Sequence, residues 1–237
     1  EGNIDNIKIS EGDIKLNFEN GAKVSSNFNS NLNLDEEFFI RKSKILSKLG
    51  INNQIKSFSG SFKNNFYINF DNTYKVNDYN YTFSGKIKKS KFELSKIVKN
   101  TMIGEISKIY LSDFQLDSVF SSKKNKMNGS GKYSFNGTRF YKIDLENDFA
   151  KDLLNLKLNF EYGNKFRLEI INYEKLNKST ANISLELKKD KDNIDIYKLN
   201  YNEGENSFKI DGLSFKKNKF FSFKKIDVET SNNKFFI

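Results

Sequence analysis

The sequence predicts a mainly β fold, a long antiparallel meander carrying one or two short amphipathic helices. Apolar and polar residues alternate strictly in segment after segment. Ala181, Ile183, Leu185 and Leu187 alternate with Asn182, Ser184, Glu186 and Lys188. A period of two places every second side chain on one face, so each segment reads as a strand with one apolar and one wet face. The links between segments, such as Lys189 to Asn193 and Asn202 to Asn206, are short and polar. Such links suit antiparallel hairpins, since a parallel crossover needs a dozen or more residues.

In chain order, Ile14, Leu16 and Phe18 form a first strand, and Asn20-Gly21 is a two-residue hairpin signal before Ala22 to Phe28. The period then changes. Leu34, Phe38, Ile45, Leu46 and Leu49 fall near one helical face, with acids at 35–37, bases at 41–48 and Gly50 as terminator. That order predicts an amphipathic helix near 34–49 whose charges suit its dipole. Packing onto a sheet end is favoured for it over docking to a membrane. Leu94, Ile97, Val98 and Met102, stopped by Gly104, predict a second helix near 94–103.

Strands are expected at Phe66–Phe70, Tyr79–Ile87, Tyr133–Phe135 and Phe140–Leu145. Ile109, Leu111, Leu116 and Phe120 match no single period. The stretch 121–132 reads as a loop, with Asn128-Gly129 as a turn inside it. Leu154, Leu156, Leu158 and Phe160 are expected to pair across Gly163-Asn164 with Phe166, Leu168 and Ile170. Ile194, Ile196, Phe208 and Ile210 continue the pattern, with Asp211-Gly212 as a further turn before Leu213 and Phe215. Composition is even and no linker intervenes, so residues 1–237 read as a single segment of a larger repetitive β domain.

Composition excludes much chemistry. The chain has neither Cys nor His, so disulfides and the common thiol, imidazole and zinc sites are ruled out. Average usage of roughly 5% Pro predicts about a dozen prolines, and there are none, which suits uninterrupted sheet. A bias toward Lys, Asn, Ile and Phe contributes to that absence. No phosphate-binding glycine loop or nucleophile elbow is found. Asp35-Glu36-Glu37 reads as a helix start, and the lysines among Asp190 to Asn193 remove the charge a calcium loop needs. No catalytic residue, metal or cofactor is therefore expected, and the chain is not read as an enzyme.

The net charge of +10 rests on lysine, since Arg41, Arg139 and Arg167 are the only arginines. Base readout favours Arg, and lysines such as Lys157, Lys188 and Lys209 are spread along the wet faces among acids. No nucleic-acid partner is expected. No apolar run is long enough to cross a bilayer as a helix.

The apolar face is the functional question. About a dozen strands at ~4.8 Å spacing, each of about five residues at ~3.3 Å, present on the order of 900 Å². The largest exposed patch of a typical monomer is roughly 300–600 Å². The face must close into a sandwich or barrel, or curl into a trough around an apolar ligand. Alternation alone fits both.

The run from Ile194-Asp195-Ile196 through Asn206-Ser207-Phe208-Lys209-Ile210-Asp211-Gly212-Leu213 resembles the repeating strand pairs of the AsmA-like bacterial envelope proteins. Within them it is most similar to the YhdP and TamB kind. Phe58-Ser59-Gly60-Ser61-Phe62 and Tyr81-Thr82-Phe83-Ser84-Gly85 resemble the same theme, as does a helix set between strands. The resemblance is one of pattern and spans most of the chain. It implies a long, curved, open apolar groove, taco-like in section, that carries phospholipid between inner and outer membranes. It further implies a periplasmic location, an inner-membrane anchor outside this segment, and partners in the rest of the polypeptide and in membrane-embedded proteins at either end. Acyl chains would then lie on Leu154, Leu156, Leu158, Phe160, Phe166, Leu168, Ile170, Ile183, Leu185, Leu187, Ile194, Ile196, Phe208 and Ile210. The alternative is an extracellular adhesin or surface-layer β segment with a self-packed core.

Overall fold

The structure, a computed structural model, describes residues 2–18, 21–44, 54–100, 102–176, 178–217, 219–231 and 234–237. The chain divides into two compact units. One is Glu1–Ser95 with Lys108–Phe140, and the other is Lys96–Ser107 with Tyr141–Ile237. The even composition gives no sign of that division.

The first unit contains β1 (Gly2–Ile4), β2 (Ile7–Asn17), β3 (Ala22–Leu34), α1 (Glu36–Arg41), β4 (Ile55–Phe70), β5 (Val76–Asn100), β6 (Gly104–Ser121) and β7 (Asn125–Ser134), the tip of the β5–β6 hairpin belonging to the second unit. Its strands pair in chain order from β1 to β7, and the first and last do not meet, so the sheet is an open meander. The second unit adds β8 (Tyr141–Ala150), β9 (Leu153–Tyr162), β10 (Phe166–Leu168), β11 (Tyr173–Lys175), β12 (Ala181–Asp190), β13 (Asn193–Glu203), β14 (Asn206–Lys216), β15 (Lys219–Ser222), β16 (Lys225–Glu229) and β17 (Lys234–Phe236). Its main sheet is again open and antiparallel, in the order β8-β9-β12-β13-β14-β16-β17, with β15 beside β14. β10 and β11 form a separate two-stranded ladder.

The helix expected near 34–49 is observed over Glu36–Arg41, and residues 45–49 of the expected span lie outside the described residues. Asp35 caps it by accepting from the Phe38 amide at 2.9 Å. Phe38 and Phe39 are buried, and the helix packs on β4, with Lys56 Nζ 3.2 Å from Glu36.

The second expected helix is not formed. Leu94, Ile97 and Val98 instead extend β5 to Asn100. Ile97 and Val98 are β-branched, and β5 is hydrogen-bonded to β6 in the sheet, so the strand wins.

Bulges account for the misread periods. In β6 the register shifts between Ser112 and Gln115, where Asp113 sits at φ 52°. The inserted residue swaps parity, which is why Leu111 and Leu116 share no period. Between β12 and β13 the register shifts at Glu186/Leu187. That shift carries Ile194, Ile196, Leu199 and Tyr201 onto one face although their numbers change parity.

Two expected turns lie inside strands. Asn128-Gly129 belongs to β7, and Asp211-Gly212 belongs to β14. Gly129 is there for space: a Cβ on it would fall within the ring of Phe114, itself 4% exposed. The turn between β6 and β7 falls earlier, where Ser121 Oγ accepts from the Lys124 amide at 2.9 Å.

Phe166–Ile170 does not pair with β9. That strand already has β8 on one edge and β12 on the other. Phe166, Arg167 and Leu168 pair instead with Lys175, Glu174 and Tyr173, around a single 3₁₀ turn that ends with Asn172 at φ 49°. The result is a short strap from Phe166 to Lys175.

Candidate functional site: half-open apolar faces

In the second unit, register lines up the apolar side chains in rows that cross the sheet. Leu145 lies opposite Leu158, Leu158 opposite Leu185, Leu185 opposite Leu199, Leu199 opposite Ile210, and Ile210 opposite Ile226. At ~4.8 Å per strand this aliphatic row is on the order of 24 Å long. Every member is only partly buried. A parallel row of Leu156, Leu187, Ile196 and Leu213 lies two residues along, also partly buried. Leu154 and Ile194 flank Lys189 beyond it.

The row on the other side is covered. Phe160, Ile183, Tyr201, Phe208 and Val228 follow one another across the strands, and the last three are buried with Ala181 and Tyr173. The cover is the strap. Tyr173 meets Phe208 edge-on at 4.8 Å between ring centroids, and Phe166 stacks on Tyr201 at 5.3 Å. Arg167 N donates to Met102 O at 3.0 Å, tying the strap to the tip of the β5–β6 hairpin.

Polar groups lock the strap down. Tyr173 Oη donates to Glu203 Oε2 at 2.5 Å and lies 2.8 Å from Tyr201 Oη. With the Tyr173 proton committed to Glu203, Tyr201 is the donor of that second bond. Burial, reinforced at Tyr173 by the bond to Glu203, pushes both phenols far above the usual tyrosine range. Burial works to raise Glu203 as well. Hydrogen bonds from Ser179, Tyr173 and Asn206, with the Lys175 charge, outweigh it and hold the carboxyl below its ordinary value. Lys175 is 1% exposed. Its ammonium donates to Asn164 O at 2.8 Å and Leu176 O at 3.1 Å, with the Tyr162 ring centroid 5.8 Å away.

The sequence-derived groove residues therefore separate into sets. Leu154, Leu156, Leu158, Phe160, Ile183, Leu185, Leu187, Ile194, Ile196 and Ile210 share the sheet face and are partly exposed. Phe208 is on that face but buried under Tyr173. Phe166 and Leu168 are not on the sheet and pack down onto it from the strap. Ile170 belongs to the strap's 3₁₀ turn, and its side chain lies outside the described part of the structure.

The first unit has a concave face that the site assignment from sequence missed. Phe28, Phe62 and Phe83 help line a hollow of about 330 Å³. A neighbouring hollow of about 310 Å³ is lined by Ile9, Ile14, Phe28 and Phe66 among others. Aromatic rings run along β4 and then across β5 and β6: Phe58 stacks on Phe62 at 5.8 Å, Phe62 meets Phe83 at 5.8 Å, and Phe83 stacks on Phe120 at 6.0 Å. Asn64 and Ser30 sit among them but are satisfied internally. Asn64 Nδ2 donates to Ser30 Oγ at 2.9 Å, and Tyr81 Oη donates to Asn64 Oδ1 at 2.8 Å. Such polar atoms offer little to an apolar guest and cost little to cover. The alternation of Tyr79, Tyr81 and Phe83 was the signal for this face.

Among the described residues, no cluster of His, Cys, Asp and Glu could hold a metal ion, and no helix is long and apolar enough to cross a membrane. Compared with protein-family models, curated proteins and solved structures, the chain matches none.

Proposed function

We propose that the chain is a segment of a lipid-transfer protein of the bacterial envelope, and that the apolar face of each unit holds phospholipid acyl chains. The observation that carries this reading is the row Leu145–Leu158–Leu185–Leu199–Ile210–Ile226, uninterrupted and left half-open. A face meant only as core gains stability by closing, at roughly 25 cal/mol per Å² of apolar area removed from water. An acyl chain laid on the row gains the same term, at most ~0.8 kcal/mol per buried methylene. The row consists of similar aliphatic side chains and offers no single deep well, so a chain on it moves by diffusion. Headgroups stay in water at the rim.

In this reading the protein resides in the periplasm and carries phospholipid between inner and outer membranes, anchored through a segment outside the one described. The competing reading is a surface β segment with a self-packed core, and the strap over Tyr201 and Phe208 favours it locally. Mass spectrometry of a lipid extract from the purified protein separates the two. Stoichiometric phospholipid that survives gel filtration supports transfer; a lipid-free protein that takes up none from vesicles overturns it.

A further inference from the structure

One hairpin breaks the rule obeyed by the strands around it. β15 pairs with β14 alone, at the rim of the second unit's sheet. Phe220 lies opposite Phe215, and so on the apolar face, whereas Phe221 is the extra residue where the β14–β15 register shifts, and its ring lies under Lys216 Nζ. Both are exposed, at 60% and 57%, and Phe223 follows at 37%. A strand serving the sheet alone would not leave three rings open to solvent within four residues.

The hairpin's own charge is of one sign. Residues 216–225 contain Lys216, Lys217, Lys219, Lys224 and Lys225 and no acid. Of these lysines, Lys225 is paired, with Asp227 at 2.7 Å. The neighbouring β12–β13 turn brings Lys189 and Lys191 against Asp190 and Asp192, which roughly cancel.

We propose that the β14–β15 hairpin is a docking element for an anionic bilayer surface. Phe220, Phe221 and Phe223 enter the headgroup boundary, and the lysines sit among the lipid phosphates. Exposed rings flanked by cations are the combination that gains from both the apolar and the electrostatic part of an interface. Lysine stems reach upward while the rings go down. A single-stranded nucleic acid would also seek lysines and rings, but it needs open ring faces for base stacking. Lys216 Nζ already sits 3.5 Å from the Phe221 centroid and occupies one such face. This surface does not depend on lipid in the apolar rows, because a protein with those rows empty would still bind.

The chain has no Trp, so Phe221→Trp supplies a clean probe in the otherwise native protein. Vesicles of phosphatidylcholine with phosphatidylglycerol at roughly 7:3 are compared with pure phosphatidylcholine at low salt. The expected result is a blue shift and quenching by brominated acyl chains on the anionic vesicles alone. Phe220→Ser with Phe221→Ser, and separately Lys216→Gln with Lys217→Gln and Lys219→Gln, each lower vesicle co-sedimentation roughly tenfold or more. Thermal melts confirm that these exposed substitutions leave the fold intact. Equal binding by the parent and both variants overturns the proposal. So does an absence of binding to anionic vesicles, or tighter binding to a single-stranded oligonucleotide than to vesicles.

Discussion

Leu185 lies directly opposite Leu158 across the β12–β9 ladder, and both side chains remain partly open to solvent. Ser184, the preceding residue, points to the other face and lies opposite Asn159. Leu185→Asp on an open face can reach water, so a loss of about 1 kcal/mol is expected, together with loss of bound phospholipid. Ser184→Asp should stay within about 0.5 kcal/mol and keep its lipid. Thermal melts paired with lipid extraction check this. A Leu185→Asp protein destabilised by several kcal/mol would mean a sealed core.

Gly129 gives up its side chain to Phe114. Gly129→Ala would force that ring out of place and cost about 1–3 kcal/mol in the first unit. Gly2→Ala, where a Cβ meets open space, is the control and should be silent. Urea midpoints of the two variants decide it, and equal midpoints would show that Phe114 has room to move.

Much of the fold was legible because antiparallel strands with one buried face write their parity into the sequence. Leu154 to Phe160 and Ala181 to Leu187 are read correctly from alternation alone. What failed depends on partners distant in sequence. Gly129 looks like a turn until the Phe114 ring is seen across the ladder. Phe166 and Leu168 continue the alternation of β9, yet β12 already holds that edge, so they fold back as a strap. The residues that fasten the strap form two pairs, Tyr173 with Lys175 on β11 and Tyr201 with Glu203 on β13, each at the strand period, and nothing in the sequence links one pair to the other. Their association is set by the three-dimensional packing of separate strands.

Lys175 fastens the strap through two carbonyls. Lys175→Met keeps the stem but leaves Asn164 O and Leu176 O without that donor, at a cost of about 1–3 kcal/mol. Hydrogen exchange should show faster opening at Tyr173–Lys175, with the β9–β12 ladder unchanged. Unchanged exchange in the strap would show that the ammonium is not what holds it.

Glu203 makes the strap acid-sensitive. Its carboxyl is held below the ordinary value in the folded protein, so the ionised form stabilises the fold. That contribution is complete above the unfolded value of about 4.3 and is lost as pH falls through the lower folded value. Strap amides should therefore lose protection on acidification from about pH 5 to pH 3, ahead of the β9–β12 ladder. Glu203→Gln should remove the difference. Simultaneous loss in strap and ladder, identical in the variant, would rule out this carboxylate.

The most direct test of acyl chains on the open row is photo-crosslinking from within it. A benzophenone side chain is placed at Leu158, on the apolar face, and in a second protein at Asn159, on the wet face. The account predicts a phospholipid adduct at position 158, formed on its acyl chain, and none at 159. No adduct at 158, or equal yields at both positions, would contradict it.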